Sequence, residues 1–257
     1  MKKISLLLVV SLLTMLASAQ ELTSKKGTPI LPTAGDWALS VDATPFLDFA
    51  GNLIGANGTN VAPTMNFLSG NRTIIGKYFV TDTKAYRLGA RLGINSTTTK
   101  NELTDLPNYT EDKATASSFD LGLTAGVEFR RGISRLQGYY GGEVGLAVGS
   151  GATSFTYGDP AAPTSTLQKS KNGFMFGLGA RAFAGVEYFV FPKISVGGEF
   201  GWGVAFTSVG KAIDVREAGG VVTETVQNEG GSTFGMDSNN LNTIFGPAGS
   251  LRMTFHF

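Results

Sequence analysis

Charged side chains recur along this sequence inside short segments in which apolar and polar residues alternate. In each segment every second residue is polar, and these positions are here called the polar parity. Each charged residue occupies the polar parity of its segment, so all of them would share the polar side of one folded sheet. An unpaired buried charge costs on the order of several kcal/mol, so enclosed charges have to form ion pairs. The residues that we predict to form this lumen charge cluster are Asp42, Lys77, Arg87, Arg91, Asp120, Glu128, Glu143, Arg181, Glu187, Glu199 and Arg252.

The sequence gives little support for a catalytic site. The sequence has a single histidine, His256, which lies next to the last residue and on the polar parity of its segment. Acyl-transfer and protease sites commonly need a histidine beside the nucleophile. There is no cysteine and no His/Cys cluster for a metal ion. We therefore predict no enzymatic activity, no metal site and no cofactor, although a mechanism that uses carboxylates alone stays open.

Eight segments alternate with a period of two, which is typical of strands that have one apolar face. Pro45 interrupts the first segment and predicts a bulge there, because proline donates no hydrogen bond to a ladder. The predicted strands cover residues 36–49, 71–81, 86–95, 118–129, 136–148, 174–187, 194–206 and 249–257.

The connections between these strands alternate between long and short. The predicted long loops are residues 50–70, 96–116, 150–171 and 210–240. Within the last loop, residues 212–217 and 221–227 could pair as a hairpin across Ala218, Gly219 and Gly220. Too few residues separate this hairpin from the seventh strand for two further full crossings. We therefore predict eight strands with a hairpin standing above them, and ten strands is the alternative.

Aromatic residues on the apolar parity gather near both ends of the predicted strands, around an aliphatic band. Two such belts are typical of a lipid-facing surface, and a soluble secreted sandwich is the alternative. Near the short turns we place Trp37, Tyr78, Tyr86, Phe129, Tyr140, Tyr188, Phe255 and Phe257. Near the long loops we place Phe49, Phe119, Phe174, Phe176, Trp202, Phe206 and Phe245.

The first residues have the pattern of a secretory signal peptide. Residues 1–19 contain Lys2 and Lys3, an apolar run and a small-residue cleavage site. We expect residues 20–35 to form an irregular periplasmic lead-in that packs little surface, and residues 36–257 to form a β-barrel. The net charge of +1 gives no attraction to nucleic acid.

The last nine residues, GSLRMTFHF, alternate strictly and end on Phe257. This ending resembles the closing strand of bacterial outer-membrane β-barrels. Together with the strand pattern, the chain resembles the small eight-stranded barrels of the OmpX and OmpA-domain kind. The resemblance implies an all-β, transmembrane antiparallel up-and-down β-barrel, with long extracellular loops and short periplasmic turns. It also implies the outer membrane of a Gram-negative bacterium, both termini in the periplasm, and Phe255 and Phe257 as the insertion signal for the barrel insertion machinery.

At eight strands a lumen is only wide enough for side chains to fill. The leading hypothesis is a non-enzymatic barrel with a charge-filled lumen, embedded in outer-membrane lipid. It would act through extracellular loops on a protein or surface partner, or as a structural component of the envelope. A narrow porin-like channel or a carrier of small hydrophobic ligands is the first alternative, since the inward glycines Gly89, Gly93, Gly177 and Gly201 leave room for water. An accessory subunit of a larger outer-membrane complex is the second.

Overall fold

A computed structural model describes residues 22–24, 26–48, 72–103, 110–132, 134–158, 166–236 and 244–257. Within these ranges the chain forms twelve strands, and all of their pairings are antiparallel, so the predicted all-β class is confirmed. The strands are β1 (Trp37–Asp42), β2 (Ile74–Thr81), β3 (Lys84–Leu103), β4 (Thr110–Arg131), β5 (Leu136–Thr156), β6 (Thr166–Lys171), β7 (Met175–Phe191), β8 (Ile194–Val209), β9 (Ala212–Ala218), β10 (Val221–Asn228), β11 (Gly231–Met236) and β12 (Gly249–His256). No helix in these ranges has the length and apolar character to cross a membrane.

Eight of the described strands close into a ring. Its order is β1, β2, β3, β4, β5, β7, β8 and β12, and β12 pairs back with β1. At this seam Ala38 lies opposite His256, and Asp42 lies opposite Arg252. Closure satisfies the backbone groups that an open sheet would leave unpaired at its edges.

Side chains alternate between the interior and the exterior of the ring. On β7, Arg181, Phe183, Glu187 and Phe189 are buried, while the residues between them are exposed or half-buried. The interior of the ring, here called the lumen, therefore receives the polar parity, as the sequence predicts. The aromatic residues assigned to the outer face are exposed or half-buried wherever the structure describes them, with one exception. Phe245 is only 3% exposed, so its assignment to the outer belt is wrong.

Two predicted long loops are largely strand. β3 and β4 stay paired as far as Leu103 and Thr110, so the predicted loop over residues 96–116 is wrong. β5 likewise continues to Thr156, and β6 pairs with it through residues 169–171. These extensions carry polar side chains on both faces, and threonine favours strands without adding an apolar parity. The predicted hairpin is present as β9 and β10, and neither strand is part of the ring.

The first strand is shorter than predicted. β1 ends at Asp42, and residues 44–48 form a helical turn instead of the second half of a strand. The carboxylate of Asp42 accepts a hydrogen bond from the Thr44 N–H at 2.8 Å. Pro45 then lies in the first turn of the helix, where its missing N–H has no partner to lose. Phe49 and all of the predicted loop 50–70 fall outside the described residues.

The lead-in packs more tightly than the sequence suggests. Ile30 is 2% exposed, and its carbonyl accepts a hydrogen bond from the Lys193 N–H at 3.2 Å. The Lys193 ammonium also pairs with Asp36. The described part of the lead-in thus lies against the short turns. The last residue is at the same end, because the Phe257 N–H donates to the Trp37 carbonyl at 2.8 Å.

Three chain segments bend close to one another beside the ring, between β6 and β7, between β8 and β9, and between β10 and β11. A glycine stands at each bend, namely Gly173, Gly210 and Gly230. A Cβ on Gly173 would overlap the Gly210 carbonyl oxygen, and one on Gly230 would overlap the Val209 carbonyl oxygen. Gly230 also has a φ of 82°, which side chains rarely adopt. The bends therefore depend on close backbone contact that only glycine allows.

We expect Gly173→Ala to destabilise the protein by about 1–3 kcal/mol, because the added methyl group forces backbone apart. Urea unfolding in detergent micelles measures the change. Gly231→Ala is the matched control, since a Cβ there meets nothing within 4 Å. Equal stability of the two variants would contradict the close packing at the bend.

Candidate functional site

Arg87 lies at the centre of the lumen on β3 and is 1% exposed. Its guanidinium donates to both carboxylate oxygens of Glu199, at 2.8 and 3.1 Å, and to Glu128 at 3.3 Å. Its Nε lies 3.6 Å from the Glu143 carboxylate. The guanidinium also stacks over the Phe183 ring, 3.8 Å from the centroid. One cation thereby joins glutamates from three strands, β4, β5 and β8.

A second arginine shares two of these glutamates. Arg181 on β7 donates from Nε to Glu143 at 2.6 Å and from a terminal nitrogen to Glu199 at 3.2 Å. Glu143 and Glu199 therefore each bridge Arg87 and Arg181. Bidentate and bridging contacts of this kind are stronger than single neutral hydrogen bonds and hold the side chains in one arrangement.

The network continues towards the short turns through Glu128, which is fully buried. Lys77 lies 2.7 Å from one of its oxygens, and Arg130 donates to the other at 3.1 Å. Arg130 also pairs with Glu187, whose carboxylate accepts a hydrogen bond from the Ser195 hydroxyl at 2.9 Å. Seven residues of the predicted cluster thus form one buried network, namely Lys77, Arg87, Glu128, Glu143, Arg181, Glu187 and Glu199.

Asp42 and Arg252 are placed beside this network. Asp42 pairs with Arg72 at 3.3 Å, and both side chains are about one-quarter exposed. Arg252 is buried, and it donates to the Thr73 carbonyl at 2.6 Å. Asp42 therefore lies at the rim of the lumen, opposite Arg252 in the strand register and outside the buried network.

Arg91 and Asp120 lie further from the short turns, towards the extended ends of β3 and β4. Arg91 is 3% exposed and is attracted by the charge of Asp120. A Cβ on Gly122 would lie only 3.2 Å from the Arg91 guanidinium, so this glycine makes room for it. The two residues face inward as predicted.

Aromatic rings fill the lumen below the charges, near the short turns. The His256 ring packs between Phe79 and Phe189, with ring centroids 5.6 and 5.2 Å away. The Arg130 guanidinium lies 5.3 Å from the Phe79 ring centroid. The only histidine of the sequence is therefore enclosed by aromatic rings and neighbouring cations, and neither of its ring nitrogens has a hydrogen-bond partner among the described residues.

An apolar plug fills the lumen above the charges. Ile244 and Phe245 turn into the ring just before β12 and are 1% and 3% exposed. They pack with Ala147 and Ala205, and the Arg181 guanidinium lies 5.0 Å from the Phe245 ring centroid. Aromatic rings, ion pairs and this plug therefore occupy three levels of the lumen.

A family model places this architecture among known proteins. The model of the OmpA-OmpF-like porin family matches residues 68–208, which is more than half of the chain. The chain belongs to the OmpA-OmpF-like porin family. This porin-family chain is an outer-membrane β-barrel, as the resemblance in its sequence implies.

Among solved structures, the porin-family chain is similar to the outer membrane protein OprG from Pseudomonas aeruginosa. The two are 12% identical with a TM-score of 0.33, and the match covers 88% of this chain and 98% of the OprG chain. The comparison with curated proteins found no match.

Sequence reasoning missed two parts of the site in this porin-family chain. Arg130 lies just beyond the predicted fourth strand, which ends at residue 129; it shares its parity with Glu128 and is found by extending that strand by one residue. The plug residues Ile244 and Phe245 have no such signal, because the local sequence gives no direction for a segment that folds back into the ring. The described residues contain no group of three or more side chains suited to a metal ion.

Proposed function

We propose that this chain is a closed, non-enzymatic outer-membrane barrel with eight membrane-crossing strands, which acts through the strand extensions and hairpin beyond the ring. The observation that carries the proposal is the sharing of Arg87 by Glu128, Glu143 and Glu199 at the centre of the lumen. Opening a path there would require separating several buried ion pairs at once, and each broken pair costs about 3–5 kcal/mol.

The orientation is part of the proposal. The short turns and both described ends of the chain would face the periplasm, and β6, β9 and β10 would stand outside the cell. Two features support this. Outer-membrane barrels have short periplasmic turns and longer extracellular connections. The extensions of β3 and β4 are polar, and their described side chains are exposed on β3 and half-buried to exposed on β4, as expected of segments in water rather than in lipid.

Orientation is testable by labelling, because the chain has no cysteine of its own. We expect Thr223→Cys on β10 to react with a membrane-impermeant maleimide on intact cells. Thr83→Cys, in the short turn between β2 and β3, should react only after the outer membrane has been permeabilised. The opposite pattern would overturn the orientation.

The insertion signal remains a proposal at Phe255 and Phe257. Both side chains lie on the outer parity of the last strand, and Phe257 is 72% exposed. An aromatic pair there is available to the insertion machinery before it meets lipid. We propose outer-membrane lipid as the surrounding partner of the same face.

The narrow channel is the second candidate, favoured by the porin-family match. The inward glycines support it less than the sequence suggests, because neighbouring side chains occupy their space. A Cβ on Gly201 would lie 2.8 Å from Arg181, and one on Gly177 would lie 3.1 Å from Ile244. At these two glycines the room expected for water is therefore taken by an ion-paired arginine and a plug residue.

Planar bilayer recordings separate the two candidates. We expect the wild-type protein to insert without steady conductance, because charged and apolar side chains fill its lumen. Insertion is verified independently by the heat-dependent shift in electrophoretic mobility. A steady wild-type conductance that changes in Glu199→Gln or Arg91→Gln would instead support the channel and overturn the closed barrel.

A further inference from the structure

β10 forms an open edge of the sheet beyond the ring. It pairs with β9 on one side, and no described strand pairs with its other side. All eight residues of β10 are exposed. The N–H and C=O groups along such an edge are complementary to the backbone of one further extended strand.

The composition of β10 does not protect this edge. Its sequence, VVTETVQN, contains no proline and no lysine, which commonly block edge pairing. Val221 and Val222 are 65% and 62% exposed. Valine and threonine also favour strand pairing through their branched side chains. The edge is therefore suited to accept another strand.

The position of Glu224 indicates what kind of strand. On one face of β10, Glu224 stands between Val222 and Val226, each two residues away. A strand added antiparallel to this edge would place one side chain directly opposite Glu224 and one opposite each valine. Opposite charges stabilise such a cross-strand pair, and like charges destabilise it.

This arrangement disfavours a second copy of the chain as the occupant. Antiparallel pairing of two β10 strands that aligns Val222 with Val226 places the two copies of Glu224 directly opposite each other. The same register is favourable for a strand with a basic residue in the centre. The Lys171 ammonium, 3.8 Å from the Glu224 carboxylate, shows that a cation fits beside it.

We propose that the free edge of β10 binds an extended segment of another protein, in which a lysine or arginine has apolar residues two positions away on each side. The backbone ladder supplies the affinity of such strand addition, and the side-chain pattern supplies its specificity. The inference rests on the proposed function, since it names the kind of partner that the strands beyond the ring would bind.

The test uses the full-length protein in detergent micelles and a labelled, end-capped seven-residue peptide. The peptide has a central lysine, valines two positions to either side and threonine elsewhere; a matched peptide has a central glutamate. We expect the wild-type protein to bind the lysine peptide about fivefold more tightly, the upper range for one cross-strand charge pair. Fluorescence polarisation measures both affinities.

Charge reversal then locates the site. Glu224→Lys should invert the preference, so that the glutamate peptide binds about fivefold more tightly than the lysine peptide. Glu229→Lys is the matched control, because Glu229 is exposed and follows β10 directly. This control should keep the wild-type preference. Equal effects of the two reversals would overturn the site.

Two further outcomes would overturn the proposal. A lysine peptide with N-methyl groups on all of its internal amides has no internal N–H to donate to the edge of β10, so undiminished binding of that peptide would exclude strand addition. Formation of a wild-type dimer that displaces the peptide would identify a second copy as the occupant instead. Binding in micelles depends on neither conductance nor orientation, so a failure here is distinguishable from failure of the proposed function.

Discussion

Arg87→Ala should lower the free energy of unfolding by at least about 3–5 kcal/mol, the range for a buried pair that loses one partner. Three carboxylates contact Arg87, and the substitution leaves them close together with less compensating charge. Arg181 and Lys77 would still contact some of their oxygens, but neither reaches all three. Urea unfolding in detergent micelles, followed by tryptophan fluorescence, measures the loss.

Arg131→Ala is the control for this prediction. Arg131 is on the same long strand, β4, but its side chain is exposed. Its removal should change stability by no more than about 0.5 kcal/mol. A loss below about 1 kcal/mol for Arg87→Ala would mean that water reaches the carboxylates, since solvent screening is what reduces such penalties. The closed-lumen proposal would then fail.

Phe245→Ala should produce the second largest effect, a loss of about 3–5 kcal/mol, as is typical when a buried phenylalanine is truncated. The ring packs against Ala147 and Ala205 and its centroid lies 5.0 Å from the Arg181 guanidinium, so the substitution leaves a cavity and removes a cation–π contact. The same unfolding experiment measures this loss.

Phe234→Ala is the matched control, because Phe234 on β11 is 69% exposed. Its truncation should cost much less than that of Phe245. Similar losses for the two variants would show that Phe245 is not held inside the ring. Retained stability of Phe245→Ala together with a new bilayer conductance would show that the plug moves without unfolding the barrel.

Side-chain parity explains why much of the lumen was predictable from the sequence. Successive residues of a strand point to opposite faces, so the apolar outer parity also assigned Arg87, Glu128 and Glu199 to the interior. Parity makes no prediction for segments that lack an apolar face. The upper halves of β3 and β4 are polar on both faces, and their pairing depends on backbone hydrogen bonds and register with the neighbouring strand.

Contacts between distant segments were not predictable in the same way. Ile244 and Phe245 are apolar residues near the start of the last strand, and a local pattern assigns them to lipid as readily as to the lumen. Asp42 was assigned to the buried cluster by parity, but β1 ends at that residue and its carboxylate turns to Thr44 and Arg72. Where a strand ends is decided by helix-starting residues such as Pro45 as well as by alternation.

The order in which the chain folds follows from the seam between β1 and β12. The Thr254 hydroxyl lies 3.0 Å from the Ser40 hydroxyl, across a separation of 214 residues, and Arg87 meets Glu199 across 112. A growing chain cannot form the seam between β1 and β12 until nearly all of it has been made, while the entropic cost of joining distant segments comes first. We therefore expect closure to be slow and cooperative, and a nascent chain that lacks its final strand to depend on other proteins to keep it from aggregating.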